Sequence, residues 1–125
     1  MIILSITLAA CTSTSNHKGN NKETQLSEGY GYSAANPILI GAFTNKDRSH
    51  MAYFSKLRGP KGEPVKVERL GSCCQVASKK AMFGDYILLD KYILKYSGQQ
   101  EPTIIYVNMY DSGKLDAPKG FTLAN

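Results

Sequence analysis

The feature that most limits what this chain can fold into is an apolar run that ends in a cysteine. Residues 2–10 have the sequence IILSITLAA, and Cys11 follows directly. The run is too short to cross a bilayer, which requires about 20 apolar residues, but its length suits the hydrophobic part of an export signal. We therefore interpret residues 1–10 as a signal peptide that is removed, in preference to a buried strand followed by a chance cysteine.

Small residues in front of a cysteine resemble the lipobox of bacterial lipoproteins. The resemblance implies that Cys11 is lipidated, becomes the mature N-terminus and anchors the protein in the membrane. Each buried CH₂ contributes about 0.8 kcal/mol, so several acyl chains hold a protein far more firmly than one. Thr12, in place of an aspartate, implies the outer membrane, facing the periplasm. No Lys or Arg precedes the apolar run, a departure that is consistent with a start codon farther upstream.

The composition changes sharply after the cysteine. Residues 12–25 contain no apolar side chain that could be buried, which is typical of a flexible tether. His17 lies in this segment without a His or Cys partner at metal-binding spacing, so we predict no metal site there. The predicted organisation is a lipidated cysteine with its tether over residues 11–28 and a single small domain over residues 29–125.

The first half of the domain predicts a strand followed by a helix. Residues 37–43 form a buried apolar run, and residues 44–47 (TNKD) are typical of a helix start with a capping box. Gly59-Pro60 is expected to end this helix. The stripe expected to pack on a sheet consists of Met51, Phe54 and Leu57, with Tyr53 beside it.

The second half predicts paired strands. Alternation begins at residues 65–70, and residues 86–96 form a long strand. A turn at residues 97–102 and a β-branched, aromatic run at residues 103–110 predict a hairpin. On this long strand Tyr92, Leu94 and Tyr96 are expected to share one face, opposite Lys91, Ile93 and Lys95. The predicted fold is α+β, a mainly antiparallel sheet with one main helix packed on it, and the eight tyrosines are expected to pack with their hydroxyls in water.

Several short motifs are spread over nearly the whole domain. They are GYS at 31–33 with NP at 36–37, LRGP at 57–60, RLGSCC at 69–74, LDKY at 89–92, NMYDSG at 108–113 and APKGF at 117–121. Together they resemble a family of small bacterial lipoproteins with no established activity. Members are often called 2-dehydro-3-deoxyphosphooctonate aldolase, but that chemistry is housed in a barrel of about 250 residues. The resemblance therefore implies a lipoprotein and no catalytic residue.

The adjacent pair Cys73-Cys74 is the one constellation with possible chemistry. Their Cα atoms are about 3.8 Å apart across a trans peptide, whereas ordinary disulfides need roughly 4.4–6.8 Å, so a bridge would be strained. With Arg69, Lys79 and Lys80 nearby in the sequence, a redox-responsive pair is one hypothesis. The alternatives are a purely structural bridge, or two thiols on opposite faces of a strand with one of them buried.

Other motifs for catalysis are missing from the sequence. It contains no nucleophile elbow, phosphate loop, HExxH helix or dinucleotide fingerprint. Asp85 and Asp90 are expected on opposite faces of a strand, as turn and rim residues, which does not suit a carboxylate pair. We therefore predict no catalytic residue, cofactor or metal site, and the protein is expected to be non-enzymatic.

Positive charge is concentrated in one part of the sequence. Only Glu63 and Glu68 oppose it there, so the surplus equals the net charge of +5. The basic residues are Lys56, Arg58, Lys61, Lys66, Arg69, Lys79 and Lys80. Nucleic acid is a poor partner for an exported lipoprotein, so an acidic protein surface, an anionic envelope polymer or lipid headgroups are the expected targets, and an incidental positive balance is the alternative.

These features together predict a lipid-anchored envelope protein that binds or blocks a partner. An immunity protein that captures a secreted toxin would be one form of this function. The alternative is a thiol-redox or other enzymatic role centred on Cys73 and Cys74.

Overall fold

The computed structural model describes residues 28–125, and its regular elements are six strands and one helix in this part of the chain. They are β1 (Ile38–Leu39), α1 (His50–Lys56), β2 (Leu57–Arg58), β3 (Lys66–Ala77), β4 (Tyr86–Lys95), β5 (Thr103–Asn108) and β6 (Thr122–Leu123). The predicted signal peptide, the predicted lipidation site at Cys11 and most of the predicted tether, including His17, lie outside the described residues.

The four-stranded sheet has the order β1-β5-β4-β3, and β2 pairs with β6 in a separate two-stranded sheet. All pairs are antiparallel except β1 with β5. The prediction of a mainly antiparallel sheet is therefore confirmed. The helix is smaller than expected, because α1 has only 7 residues.

The hairpin of β4 and β5 is confirmed, and it carries much of the core. Leu94 pairs with Thr103 and Tyr92 with Ile105, so the turn lies where the polar residues 97–102 predict it. Leu94 and Ile105 are fully buried, as period-two alternation requires for residues on the covered face of a sheet. The ring of Phe54 on α1 lies 4.6 Å from the ring of Tyr92, so the helix packs on this same face.

The helix begins and ends at different residues from those predicted. Its N-cap is Ser49, whose hydroxyl accepts a hydrogen bond from the Ala52 amide at 3.2 Å. Thr44 instead donates to the carbonyl of Tyr110, which keeps the predicted capping segment in a loop. The helix ends at Lys56, before Gly59-Pro60, because residues 57–58 become extended and pair with β6.

The prediction of the buried stripe of the helix was wrong at its first residue, Met51. Met51 is 69% exposed, whereas Tyr53 is buried and Phe54 is half-buried. Leu57 is buried as predicted, but it lies in β2. Seven residues form only two turns of helix, so its buried face is set by Tyr53 and Phe54 against the sheet.

The predicted strand over residues 37–43 is reduced to β1. Gly41 adopts a φ of +64°, a region that favours glycine, and so turns the chain out of the strand. A Cβ atom on Gly41 would lie 2.9 Å from both the Cα and the backbone nitrogen of Ser112. The close approach of these two backbone segments is the reason that the strand stops.

Three tyrosine hydroxyls fasten the C-terminal segment to the core, which corrects the expectation that they lie in water. Tyr53 donates to the carbonyl of Asp116 at 2.7 Å, and Tyr30 donates to the carbonyl of Lys114 at 3.3 Å. Tyr32 donates to the carbonyl of Lys119. Burial is the main cause that raises the pKa of Tyr53 above its ordinary value, so its phenol remains protonated and can donate.

Arg48 joins two parts of the chain that are distant in sequence. Its Nη2 donates to the carbonyls of Leu39 at 2.9 Å and Gly113 at 2.6 Å, and its Nε donates to the carbonyl of Ile40 at 3.0 Å. Hydrogen bonds from a charged donor are stronger than neutral ones. Arg48 therefore holds β1 against the segment that follows β5.

Candidate functional site

A groove of about 520 Å³ opens on the face of the sheet that carries α1. Its floor is formed by alternate residues of β4, Leu88, Asp90 and Tyr92, which share one face of the strand. Arg69 and Ser72 line it from the neighbouring strand β3. The groove therefore lies over the β3–β4 half of the sheet, beyond the part that α1 covers.

One wall of the groove carries a charged hydrogen-bonded cluster. The Nη2 atom of Arg69 lies 2.9 Å from Oδ1 of Asp90 and 3.1 Å from Oγ of Ser72. The side chain of Arg69 is 51% exposed, whereas that of Asp90 is 16% exposed. Arg69 therefore keeps hydrogen-bond donors directed toward solvent while Asp90 holds its side chain in place. These donors can bind a carboxylate or a carbonyl of another molecule.

Tyr92 separates this cluster from the core. Burial is the largest cause that raises the pKa of its phenol, and the negative charge of Asp90 raises it further, whereas Arg69 acts in the opposite direction. The phenol therefore stays neutral near pH 7. Its chemical role in the groove is that of an aromatic wall with a hydroxyl that can form hydrogen bonds.

The rest of the groove is apolar and unusually exposed. Among the described residues, eight large hydrophobic side chains are exposed, and five of these line the groove. They are Phe43, Met82, Phe83, Tyr86 and Leu88. Exposed hydrophobic residues scattered singly are ordinary, but a contiguous set rimmed by polar groups marks a binding surface. This concentration makes the groove the candidate functional site.

His50 also lines the groove, and its ring lies 6.5 Å from that of Phe54. Within residues 28–125 no group of three or more His, Cys, Asp or Glu side chains could hold a metal ion.

The cysteine pair lies on the edge strand of the sheet. Cys73 and Cys74 form a disulfide, which resolves the choice between bridged and free thiols in favour of the bridge. Cys73 is half-buried and Cys74 is exposed, so neither sulfur is in the core. Cys73 pairs with Leu89 and Gln75 with Leu88, which leaves Cys74 as the extra residue of a bulge with a φ of +35°.

A second bulge interrupts the same strand at the motif RLGSCC. Arg69 pairs with Tyr92 and Gly71 with Lys91, so Leu70 has no partner in the register, and Gly71 has a φ of +135°. Bulges on an edge strand disturb the row of backbone groups that another strand could pair with. The cysteine pair therefore makes this edge of the sheet irregular. Cys73 pairs with Leu89, the residue that follows Leu88 of the groove floor in β4.

The predicted basic residues do not gather at one place. Lys66 begins β3, and Lys79 and Lys80 follow its end, so the length of the strand, roughly 30 Å, separates them. Only Arg69 of the set lines the groove. Arg58 is half-buried, and its Nη1 donates to the carbonyl of Ser55 at 2.9 Å, which gives it a structural role.

Sequence reasoning missed most of the groove. Asp90 was expected to be a rim residue, but it is the partner of Arg69. Met82 and Phe83 offered a signal, because large apolar residues in a turn between two strands have no core to enter. Phe43 offered none, since its position beside Tyr110, with rings 5.1 Å apart, depends on the loop after β1.

Comparison of the chain with protein-family models, with curated proteins and with solved structures found no match. In the part of the chain that the structure describes, no helix has the length and apolar character needed to cross a membrane.

Proposed function

We propose that this protein is a lipid-anchored protein of the bacterial envelope, on the outer membrane facing the periplasm, and that its domain binds or blocks a partner protein through the groove. The observation that carries this proposal is the cluster of exposed apolar side chains around the Arg69–Asp90 pair. Lipidation of Cys11 would keep the domain at the membrane surface.

The groove has the composition of a protein-binding surface. Its aromatic and aliphatic residues supply apolar area at the centre, where binding energy is usually concentrated. Arg69 is 51% exposed beside that area and offers donors to the partner. A partner that places an apolar side chain on Leu88 and a carboxylate near Arg69 would satisfy both features. A toxin captured by an immunity protein would belong to this class.

The first test is a charge placed on the groove floor. Leu88→Glu should reduce capture of the partner at least tenfold, because it places a carboxylate on the apolar surface and next to Asp90. The measurement is crosslinking in intact cells, followed by identification and quantification of the proteins bound to this one.

Ile104→Glu is the matched control. Ile104 is 39% exposed and Leu88 is 49% exposed, and both lie on strands of the same sheet. Ile104 pairs with Ile93, so it lies on the opposite face from Leu88. Equal loss of the crosslinked partner in both variants would contradict binding through the groove.

A thiol-redox role is the second candidate function, and the exposure of the Cys73–Cys74 bridge favours it. Opening the bridge with glutathione would convert it to two thiols, and two glutathione molecules would be oxidised to glutathione disulfide. An exposed disulfide is accessible to such a thiol, whereas a buried one is protected.

We expect the bridge to be structural. Thiol labelling across a series of glutathione potentials should show no reversible opening at potentials more oxidising than about −300 mV. The double variant Cys73→Ser/Cys74→Ser should lose a few kcal/mol of stability and retain the crosslinked partner at low temperature. A reversible transition together with loss of activity in a folded double variant would favour the redox role.

A further inference from the structure

The loop between β3 and β4 carries the most exposed apolar side chains that the structure describes. Phe83 is 90% exposed and Met82 is 74% exposed, and both lie at the tip of the loop. Lys79 and Lys80 precede them and are also exposed. We name residues 79–83 the hairpin tip.

The base of the hairpin tip is held by hydrogen bonds. The amide of Ser78 donates to the carbonyl of Asp85 at 3.0 Å, and that of Ala81 donates to the carbonyl of Ser78 at 3.2 Å. The hydroxyl of Ser78 also donates to Oδ1 of Asp111 at 2.8 Å. Asp111 accepts a further hydrogen bond from the buried Asn108 at 2.8 Å, so the loop is tied to the end of β5.

This arrangement presents apolar side chains outward from a fixed base. A flexible loop could fold its apolar residues back onto the protein, but the hydrogen bonds of Ser78 set the direction of the chain on both sides of the tip. Gly84, with a φ of +71°, makes the turn that brings the chain back to β4. Phe83 therefore remains exposed although apolar burial would be favourable.

We propose that the hairpin tip is a membrane-contact site, in which Met82 and Phe83 enter the interface of an anionic lipid surface while Lys79 and Lys80 lie among the headgroups. Two large apolar side chains beside two lysines match the apolar and anionic layers of such a surface. Met82 and Phe83 also line the groove, but at 74% and 90% exposure most of each side chain remains free to contact a lipid interface.

The charged residues around the hairpin tip are of both signs, and together they determine how strongly the tip is expected to be attracted to an anionic membrane. Asp85 is the acidic residue of the same loop, and Lys46 and Asp47 line a cavity that also contains Lys80. The lysines are therefore opposed in part. Each lysine near an anionic membrane changes partitioning about fivefold, so the apolar pair must supply the rest of the attraction.

The proposal rests on the proposed function only because an envelope location brings the domain close to a membrane. Its test is independent, since a probe at the tip reports contact with lipid whether or not Cys11 is lipidated. The chain contains no tryptophan, so Phe83→Trp introduces a single tryptophan, which can be excited at wavelengths that the eight tyrosines do not absorb. In the full chain mixed with excess phosphatidylglycerol–phosphatidylethanolamine vesicles, its emission should shift to shorter wavelength and be quenched by brominated lipid.

Met51→Trp is the matched control, since Met51 is 69% exposed on α1 and does not line the groove. This probe should show no shift and no quenching with the same vesicles. Equal quenching of the two probes, or no quenching of the Phe83→Trp probe, would overturn the proposal. Shielding of the Phe83→Trp probe without vesicles, increasing with protein concentration, would overturn it in favour of a second copy of the chain.

The lysines are tested in the background of the Phe83→Trp probe. Lys79→Gln/Lys80→Gln should lower the ratio of inserted to free tip about tenfold or more on anionic vesicles. Lys61→Gln/Lys66→Gln removes the same charge near the other end of β3 and should change that ratio less than twofold. An equal effect of both double substitutions would overturn the assignment of the headgroup contact to Lys79 and Lys80.

Discussion

Replacement of Cys11 with alanine should move the protein from the membrane fraction to the soluble envelope fraction. The sulfur of Cys11 is the atom through which the lipid would be attached, and the described domain has no helix able to cross a bilayer. The measurement is fractionation with quantitative immunoblotting after a high-salt wash.

The salt wash separates the anchor from weaker contacts. Contact of the hairpin tip with anionic lipid depends in part on charge and should be weakened by salt, whereas attachment through covalently bound acyl chains should not. A second chain, in which residues 1–11 are replaced by an export signal that is cleaved without lipidation, should also be soluble. If the Cys11→Ala protein stays tightly bound after the wash, the lipoprotein assignment fails.

Gly41→Ala should be among the most destabilising single substitutions in the domain. The added Cβ would lie 2.1 Å from Oγ of Ser112 and 2.9 Å from its Cα, so the backbone itself must shift. Alanine is also disfavoured at a φ of +64°, by about 1–2 kcal/mol. With the cost of overpacking, the total is about 3 kcal/mol or more, a large part of the stability of a small domain.

Gly62→Ala is the matched control for this effect. Gly62 has a φ of +87°, but a Cβ there meets nothing within 4 Å, so only the backbone cost remains. Urea unfolding should therefore show a loss of about 1–2 kcal/mol for Gly62→Ala and clearly more for Gly41→Ala. Equal losses would show that the approach of Gly41 to Ser112 does not limit the fold.

The hairpin of β4 and β5 could be predicted from the sequence because its signals are local. Tyr92 and Leu94 share one face of a β-favouring run flanked by Lys91 and Lys95, and a polar turn separates two runs suited to strands. Pairing of adjacent segments closes only a short loop, so neighbouring residues determine both register and buried face. The same local reasoning wrongly predicted that the first strand continues past Gly41. The contact with Ser112 that ends this strand joins segments about 70 residues apart, so neighbouring residues give no signal of it.

The sequence by itself determined the paired strands, and it predicts a polar tether and an anchor at Cys11, because composition and period express these features locally. Only the tertiary structure decided that Arg69 meets Asp90, that Phe43 joins the groove, and that Phe83 lines it. These outcomes depend on the strand order and on a loop fastened by Ser78. Contacts between distant segments are set by how whole strands pack, which no single window of the sequence contains.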